Sequence, residues 1–587
     1  MKKDQSDKIV RKVFLAFAPV QALAVGLPGI NGLLNSLIVS SNLGVSALAA
    51  VGFVAPFTSI VGAVSAVMSS GAQIMCGRYL GRGDLKSIRS TFTTAILMCA
   101  LCGLVFSLLG MIVPTGIALL LGASGEMTEM TSNYFLGMAP GYLFNILFAC
   151  LLPFLQMDNA KKTSTIAVAA SLVTAVGCNL LNAAVLKWGL LGVGLSTTAG
   201  NLVSVLVSLP HFLFKSNTYR FSVKGLSRKT AADIVKQGYP SSINAVALAM
   251  RDRVMNQILF SVGGSAAMSA LTVANNITAV IVSVNGGYSG SASLVSSVLV
   301  GERDTKSLRS MTRTIFKSFG WLYYVVYALV FIFAKPIAQL FGAEADKLDL
   351  YAMAIRLINM FMVTNAFKEA PLSLYRSMGK INLTSIFFVL NGFAFPMLVA
   401  AVAGNDLGIL YAAPPISEVL MLLIYTAYFR FKAGRFPGSL LNLTYVPDSL
   451  GVPDTDCYSA TIQNAEEAIA ASTEICRFCE EKHLPKKTAM YCGLCFEEMA
   501  MDTLKHGFPE KNREEYAVDV RMIYENNGMS MMIRDNCPGF DPTEWLKLYA
   551  AEDPSRSIGI KLVSRIAARM DYSCTLGLNV MNIRLNG

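Results

Sequence analysis

Seven charged side chains fall inside stretches otherwise apolar enough to cross a bilayer: Arg251, Asp252, Arg253, Arg356, Lys368, Glu369 and Glu418. A charge at that depth is costly and marks a substrate or ion pathway unless it is paired. Two chemistries fit. Asp252 or Glu369 takes up a coupling proton or cation, or Arg251, Asp252, Arg253, Lys368 and Glu369 pair among themselves and close the bundle; the spacing leaves both open. The amides Gln21, Asn31 and Asn35 sit in another apolar stretch, where they can ligate Na+ through a carbonyl oxygen or hold helices together by hydrogen bonds.

A second group lies near the C-terminal end. Glu498, Asp502 and Asp535 are carboxylates of the kind that suit a hard cation, and Gly539 and Gly559 allow backbone to approach anionic oxygens. Cys476-x-x-Cys479 and Cys492-x-x-Cys495 have the paired spacing of a four-thiolate zinc site. At i and i+3 on the apolar face of a helical segment, however, Cys492 and Cys495 read better as buried small residues. No Gly-x-x-x-x-Gly-Lys-Ser/Thr loop occurs, which argues against an ATP-driven pump. No histidine lies between the last apolar stretch and the first helix of the tail, which argues against a sensor histidine kinase.

These groups sit in two different bodies. Of 587 residues 53% are hydrophobic and 15% charged, and the mean hydropathy is +0.50, too apolar for soluble domains of that length. Up to residue 450 there are 34 Lys and Arg against 17 Asp and Glu, and after it 15 against 21. A sparse basic body is joined to a dense acidic one. Apolar stretches near the length of a bilayer crossing recur at 14–40, 49–77, 91–112, 131–157, 165–187 and 189–214, then at 238–262, 268–300, 311–340, 350–375, 383–403 and 408–429. The expected architecture is an α-helical membrane protein of twelve spans in two six-helix halves, 1–215 and 216–435. A linker at 436–458 and a small α+β domain at 459–587 follow. Gly26, Pro28 and Gly29 interrupt the first stretch, as a bend beside a cavity or a packing kink.

Loops on one side carry Arg78, Arg82, Lys86, Arg89, Arg303, Lys306 and Arg309, whereas the other side holds only Lys187, Lys335 and Lys347. The positive-inside rule therefore places both termini in the cytosol, with the protein in the inner membrane. The halves match without a gap at an offset of 220 residues: Gly81, Asp84, Lys86, Ser87, Arg89 and Ser90 meet Gly301, Asp304, Lys306, Ser307, Arg309 and Ser310. Such duplication is a secondary-transporter trait, with the substrate between the halves.

Leu43-Gly-Val-Ser-Ala-Leu-Ala-Ala-Val-Gly-Phe, Gly77-Arg-Tyr-Leu-Gly-Arg-Gly-Asp84, their echo in the second half and Tyr375-Arg-Ser-Met-Gly-Lys380 resemble the multidrug and toxic compound extrusion (MATE) family over about residues 10–435. The resemblance implies an antiporter driven by Na+ or H+ that exports small organic, often cationic, compounds through a central cleft. An acid that the family carries in the first span is replaced here by Asn35, and one in the tenth by Asn365. An amide does not titrate near neutral pH, so coupling through these places is put in doubt and Asp252 or Glu369 becomes the substitute.

The tail is expected to be helical at 462–483, 486–507 and 558–569, with strands at 516–523, 529–535 and 576–585. Glu497-Glu-Met-Ala-Met-Asp-Thr-Leu-Lys-His-Gly507, Ile533-Arg-Asp-Asn-Cys-Pro-Gly-Phe540 and Arg556-Ser-Ile-Gly-Ile-Lys-Leu-Val563 resemble the nucleotide boxes of the GHKL ATPase superfamily, closest to its anti-sigma-factor serine-kinase branch. The resemblance implies ATP and Mg2+ as cofactors, Glu498 as general base, Asp502 on the metal, Asp535 accepting from the adenine amino group, and Gly539 and Gly559 beside the phosphates. Asp502, Cys537 and Ser557 depart from that pattern, which puts kinase activity in doubt and leaves a degenerate, partner-binding module as the alternative.

The leading expectation is secondary efflux of a small organic cation, with lipid around the spans, a protein partner or regulatory role for the tail, and no nucleic acid. A flippase for a lipid-linked precursor is the alternative within transport, and a membrane-anchored anti-sigma-type kinase whose spans sense is the alternative outside it.

Overall fold

The computed structural model describes residues 45–587 apart from 122, 124, 216–217, 223–225, 342, 344, 510–515, 526, 550–557 and 587, together with isolated positions between 14 and 43. Pro28 and Gly29 lie outside the described residues. The first long helix, α1 (Val45–Gly81), leads to α2 (Leu85–Ile112), α3 (Glu126–Met157), α4 (Lys161–Leu181) and α5 (Gly189–Pro210). After the connection come α6 (Arg228–Gly301), α7 (Thr305–Ile315), α8 (Trp321–Ile332), α9 (Leu348–Asn359) and α10 (Met362–Ser377). The bundle closes with α11 (Ile381–Val389), α12 (Phe395–Ala403) and α13 (Ala413–Ala433).

Among the described residues six helices are long and apolar enough to cross a membrane, or eight if each of two bent pairs is one span. Their outer faces are apolar: Leu97, Leu101, Leu104 and Val105 of α2 are each about half exposed, an arrangement suited to lipid rather than water. The two stretches expected at 238–262 and 268–300 form one helical run, α6, broken at Gly264, whose φ of +62° a side chain rarely adopts. The stretch expected at 311–340 is also discontinuous, with a 65° bend between Trp321–Ile332 and Ala334–Leu340. A 51° bend separates Leu348–Asn365 from Phe367–Ser377.

Turns that lie 220 residues apart share caps and backbone geometry. Asp84 caps α2 by accepting from Ser87 N–H at 3.2 Å, and Asp304 caps α7 by accepting from Ser307 N–H at 3.0 Å. Just before each cap the chain turns through positive φ, at Gly83 (+66°) and Arg303 (+58°). Asn159 (+58°) and Gly379 (+76°), also 220 residues apart, do the same after α3 and α10.

At the end of the bundle where these turns lie, α1 and α6 touch backbone to backbone. A Cβ added to Gly71 would sit 2.1 Å from Ile234 O, one on Gly77 1.9 Å from Ser297 Oγ, and one on Gly81 2.2 Å from Val298 O. Towards the middle of α1, Gly52 and Gly62 meet nothing within 4 Å. The halves are thus pressed together at the basic end, where Arg78 Nε also donates to Ser377 O at 2.6 Å.

The tail begins with β1 (Cys457–Ile462), inside the stretch that reads as linker and domain edge, followed by α14 (Ala465–Glu481) and α15 (Lys486–Asp502). Then come β2 (Val518–Glu525), β3 (Gly528–Asp535), α16 (Pro542–Tyr549), α17 (Ile558–Ile566), β4 (Arg569–Thr575) and β5 (Leu578–Asn586). The sheet is antiparallel in the order β1-β2-β3-β5-β4. Val518, Val520 and Met522 of β2, Met529, Met531 and Ile533 of β3, and Met581, Ile583 and Leu585 of β5 alternate inward onto Ile475, Phe496 and Val563 of the helices. Asn464 starts α14 by accepting from Glu467 N–H at 2.9 Å while Glu467 accepts from Gln463 N–H at 2.8 Å, a reciprocal cap.

Candidate functional site

Three buried charges of the second half meet at the bend in the span that ends in α10. Lys368 Nζ donates to Glu418 Oε1 at 2.6 Å and lies 3.3 Å from Glu369 Oε1, while Thr364 Oγ1 donates to Glu418 Oε2 at 2.8 Å. All three charged side chains are at most 15% exposed. Two carboxylates share one ammonium, so the group can accept a proton or a further cation without leaving Lys368 unpaired.

Asn365, one turn from Lys368 on the other side of the bend, donates through Nδ2 to Asn285 Oδ1 at 2.8 Å. Tyr323 Oη donates to the same oxygen at 2.9 Å. Asn365 Oδ1 is buried with no hydrogen-bond partner among the described residues, a carbonyl acceptor left unused one turn from Lys368.

Arg251 and Asp252 correct the pairing considered from the sequence. Arg251 donates to Asp252 Oδ1 through Nε (2.9 Å) and Nη2 (2.7 Å), and the Asp252 side chain is 59% exposed. Neither joins Lys368 and Glu369, because neighbours on one helix already satisfy each other. The partner that sequence reasoning left unassigned is Glu418. It was visible as an acid at bilayer depth, but nothing along the chain ties it to a lysine fifty residues earlier.

In the first half Asn35 Oδ1 accepts from Asn179 Nδ2, and Gln21 Nε2 donates to Gln156 Oε1. Asn182 spans the turn after α4, donating to Gly189 O and accepting from Trp188 N–H, both at 3.0 Å. Ile38, Asn42, Asn179, Asn182 and Lys187 line a cavity of about 260 Å³ beside them. Asn35 is thus engaged in an amide pair, compatible with helix packing and with a carbonyl site for Na+.

In the tail, β3 and β5 bring Asp535 opposite Asn579. Asn579 Nδ2 donates to Asp535 Oδ1 at 2.7 Å, Cys537 N–H donates to the same oxygen at 3.0 Å, and Tyr572 Oη donates to Asn579 Oδ1 at 2.7 Å. Burial pushes the Asp535 carboxyl above the usual range against those donors. Glu498 lies against α17: a Cβ on Gly559 would fall 2.3 Å from Glu498 Oε2, so a side chain there would displace the Glu498 carboxylate. At Gly539 the same construction meets only ordinary contacts, with Asn579 Oδ1 at 3.9 Å and Tyr572 Oη at 4.0 Å. Asp502, one helical turn after Glu498, is half-buried and its carboxyl is raised by burial, against the pull of His506 and Lys505. One carboxylate completed by phosphate oxygens is a normal Mg2+ donor set, so Asp502 fits that ion.

The four cysteines lie along the α14–α15 contact. Cys476 Sγ donates to Ala489 O at 3.4 Å and fills the space a Cβ on Gly493 would need, while burial pushes the Cys495 thiol up to about 12. Among the described residues no group of three or more His, Cys, Asp or Glu could hold a metal ion. Packing of the two helices accounts for these thiols.

A helical bundle with an apolar outer belt, broken helices and a buried charged cluster at one break is the architecture of a multi-pass membrane transporter. The MatE family model matches residues 32–181 and 240–424. Multidrug export protein MepA of Staphylococcus aureus is 21% identical over 389 residues, covering 65% of this chain and 85% of that protein. The Bacillus subtilis protein named "Probable multidrug resistance protein YoeA" is 21% identical over 452 residues, covering 73% and 95%. Among solved structures, the outward-facing conformation of a multidrug resistance MATE family transporter of the MOP superfamily superposes with a TM-score of 0.68 at 17% identity, covering 72% of this chain and 96% of that one. The chain belongs to the MATE family of multidrug efflux transporters.

Proposed function

We propose that this protein is a secondary active antiporter of twelve spans in two six-helix halves, which exports small organic cations across the inner membrane in exchange for Na+ or H+. The observation that carries the coupling is the Lys368–Glu369–Glu418 cluster beside the bend at Asn365. In place of the acids absent at Asn35 and Asn365, Glu369 and Glu418 bind the coupling ion, and Asn365 Oδ1 offers it a further oxygen. The basic turns at 81–84 and 301–304 face the cytosol with both termini. Duplicated turn geometry at Gly83 and Arg303 and at Asn159 and Gly379 supports the two-half reading.

The tail is a cytosolic nucleotide-binding domain that regulates the transporter. Glu498 facing Gly559, and Asp535 held by Asn579, support a pocket in which Asp535 accepts from adenine and Asp502 holds Mg2+. Transport is tested in proteoliposomes with a fluorescent organic cation under imposed Na+ or H+ gradients. Efflux that follows one gradient and is lost in both Glu369→Gln and Glu418→Gln supports the assignment, and gradient-driven efflux intact in both variants sinks it. Movement of a labelled lipid without organic-cation efflux would shift the reading to a flippase. ATP binding is tested by calorimetry on residues 456–587, where micromolar affinity lost in Asp535→Ala is the supporting result.

A further inference from the structure

The polar face of the tail's sheet does not face water. Alternation places Asp519, Arg521, Arg534 and Asn582 on the side opposite the helices, and this side rests on the basic end of the bundle. Arg534 Nη1 reaches Glu302 Oε2 at 2.7 Å, with Asp519 behind it at 3.7 Å, and Arg521 Nη1 reaches Asp304 Oδ2 at 3.3 Å while its Nη2 donates to Arg303 O at 3.1 Å. Glu302, Asp304, Arg521, Arg534 and Asp519 all have side chains no more than 12% exposed. Those contacts are to the second half.

The same sheet also holds the first half. The turn joining β4 to β5 inserts beside the end of α3, where Leu576 N–H donates to Met157 O at 3.2 Å and Leu576 packs into the hydrophobic core of the bundle. A Cβ on Gly577 would lie 3.0 Å from Asn159 Oδ1, and one on Gly83 only 2.7 Å from Asn582 Nδ2. Leu576 has φ +55°, a left-handed backbone that a branched side chain tolerates poorly and that Asn adopts readily in such turns. A leucine kept there at the cost of strain is explained by what it plugs into.

We propose that the tail is a lock on the cytoplasmic gate. It bridges the 157–159 turn of the first half and the 302–304 turn of the second, and holds the halves in the closed packing of Gly77 on Ser297 and Gly81 on Val298. The inference rests on the transport reading only in that alternating access requires these halves to separate. Any opening of this end must pull the two turns apart, so the sheet has to release Glu302 and Asp304 or withdraw Leu576.

The lock is tested on the full chain in lipid nanodiscs. Spin labels are placed at Lys86→Cys and Lys380→Cys, one exposed site in each half away from the docking contacts, in a background without other reactive cysteines. The full chain is expected to give one short distance. Arg534→Glu, Glu302→Arg and Leu576→Asn are each expected to add a longer-distance population, and the charge-swapped double variant Arg534→Glu/Glu302→Arg to return to the short one. Leu576→Asn relieves backbone strain, so the tail stays folded while its plug is lost. A single short distance in all three single variants would overturn the lock, as would failure of the swap to restore it while the tail retains its far-ultraviolet dichroism. Organic-cation efflux measured on the same samples separates the two readings: absence of efflux in the full chain and also in the released Leu576→Asn variant removes the antiporter, whereas the distances alone decide the lock.

Discussion

Lys368 has two carboxylates within reach, and their geometry fixes what each substitution does. Neutralising Glu418 leaves Lys368 paired with Glu369 alone, a loss smaller than the roughly 3–5 kcal/mol of a buried charge stripped of every partner. Glu418→Gln is therefore expected to lower the melting temperature in detergent by several degrees, and Lys368→Met added to it to recover part of the loss. Asp535 gives a pH test. Its carboxyl is raised by burial, so on lowering the pH it protonates before an ordinary aspartate would. The fold disfavours its charged form, and acid therefore does not weaken the tail through this group. In the proposed nucleotide site, acid removes the acceptor assigned to adenine. ATP affinity of the tail is expected to fall on acidification at a pH above the ordinary aspartate range, and earlier still in Asn579→Ala, which loses a stabilising donor; calorimetry across pH checks both. The charged residues of both clusters stand out in the sequence, as charges in apolar stretches and as carboxylates in a nucleotide-like box, whereas Thr364, Asn285, Tyr323 and Tyr572 carry no such mark. The partnerships were not legible, because Lys368–Glu418 and Asp535–Asn579 are set by tertiary contact across 50 and 44 residues.

Helix contacts and sheet faces show which glycines and aromatics the elements depend on. Gly81 meets Val298 O so closely that a valine side chain cannot enter without separating α1 from α6. Gly81→Val is expected to shift the Lys86–Lys380 spin-label distance outward even with the tail intact. Phe496, wholly buried between α15 and the sheet, is worth about 3–5 kcal/mol when cut to alanine. In Phe496→Ala the tail should therefore melt well below the bundle in calorimetry. Periodicity made α14, α15, β2 and β3 readable within a few residues, because each has a continuous apolar face on one core. β1 and β4 escaped it: Cys457–Ile462 follows a Pro- and Asp-rich stretch, and Arg569–Thr575 alternates with Arg569, Asp571 and Ser573 and owes its strand form to pairing with β5. The bends in the later spans leave no mark either, since an apolar run of bilayer length is the same sequence signal with or without a break.

At the scale of the whole molecule, the candidate pocket and the docking surface share strands. Asp535 follows Arg534 on β3, and Asn579 stands two residues after Gly577, so the pocket-facing and bundle-facing side chains are chain neighbours at both contacts. Nucleotide that takes the place of Asn579 on Asp535 is expected to loosen the β4–β5 turn. Hydrogen exchange at 155–161 should then rise on adding ATP and Mg2+, and should not respond in Asp535→Ala. The division into a basic membrane body and an acidic tail was plain in the charge counts; that the tail's polar strand face would be covered was not, since alternation reads the same whether that face meets water or protein. The duplicated turns add a consequence of their own. Gly81-Arg-Gly-Asp84 and Gly301-Glu-Arg-Asp304 share helix caps and backbone shape, so by form alone either could receive the sheet. At the first of the two differing positions one turn carries Arg82 and the other Glu302; Arg534 pairs with Glu302, and an arginine in that place would repel it. Two charge differences within four residues, Arg82 against Glu302 and Gly83 against Arg303, thus give two turns of like shape a polarity, and tell the appended domain which way round to sit.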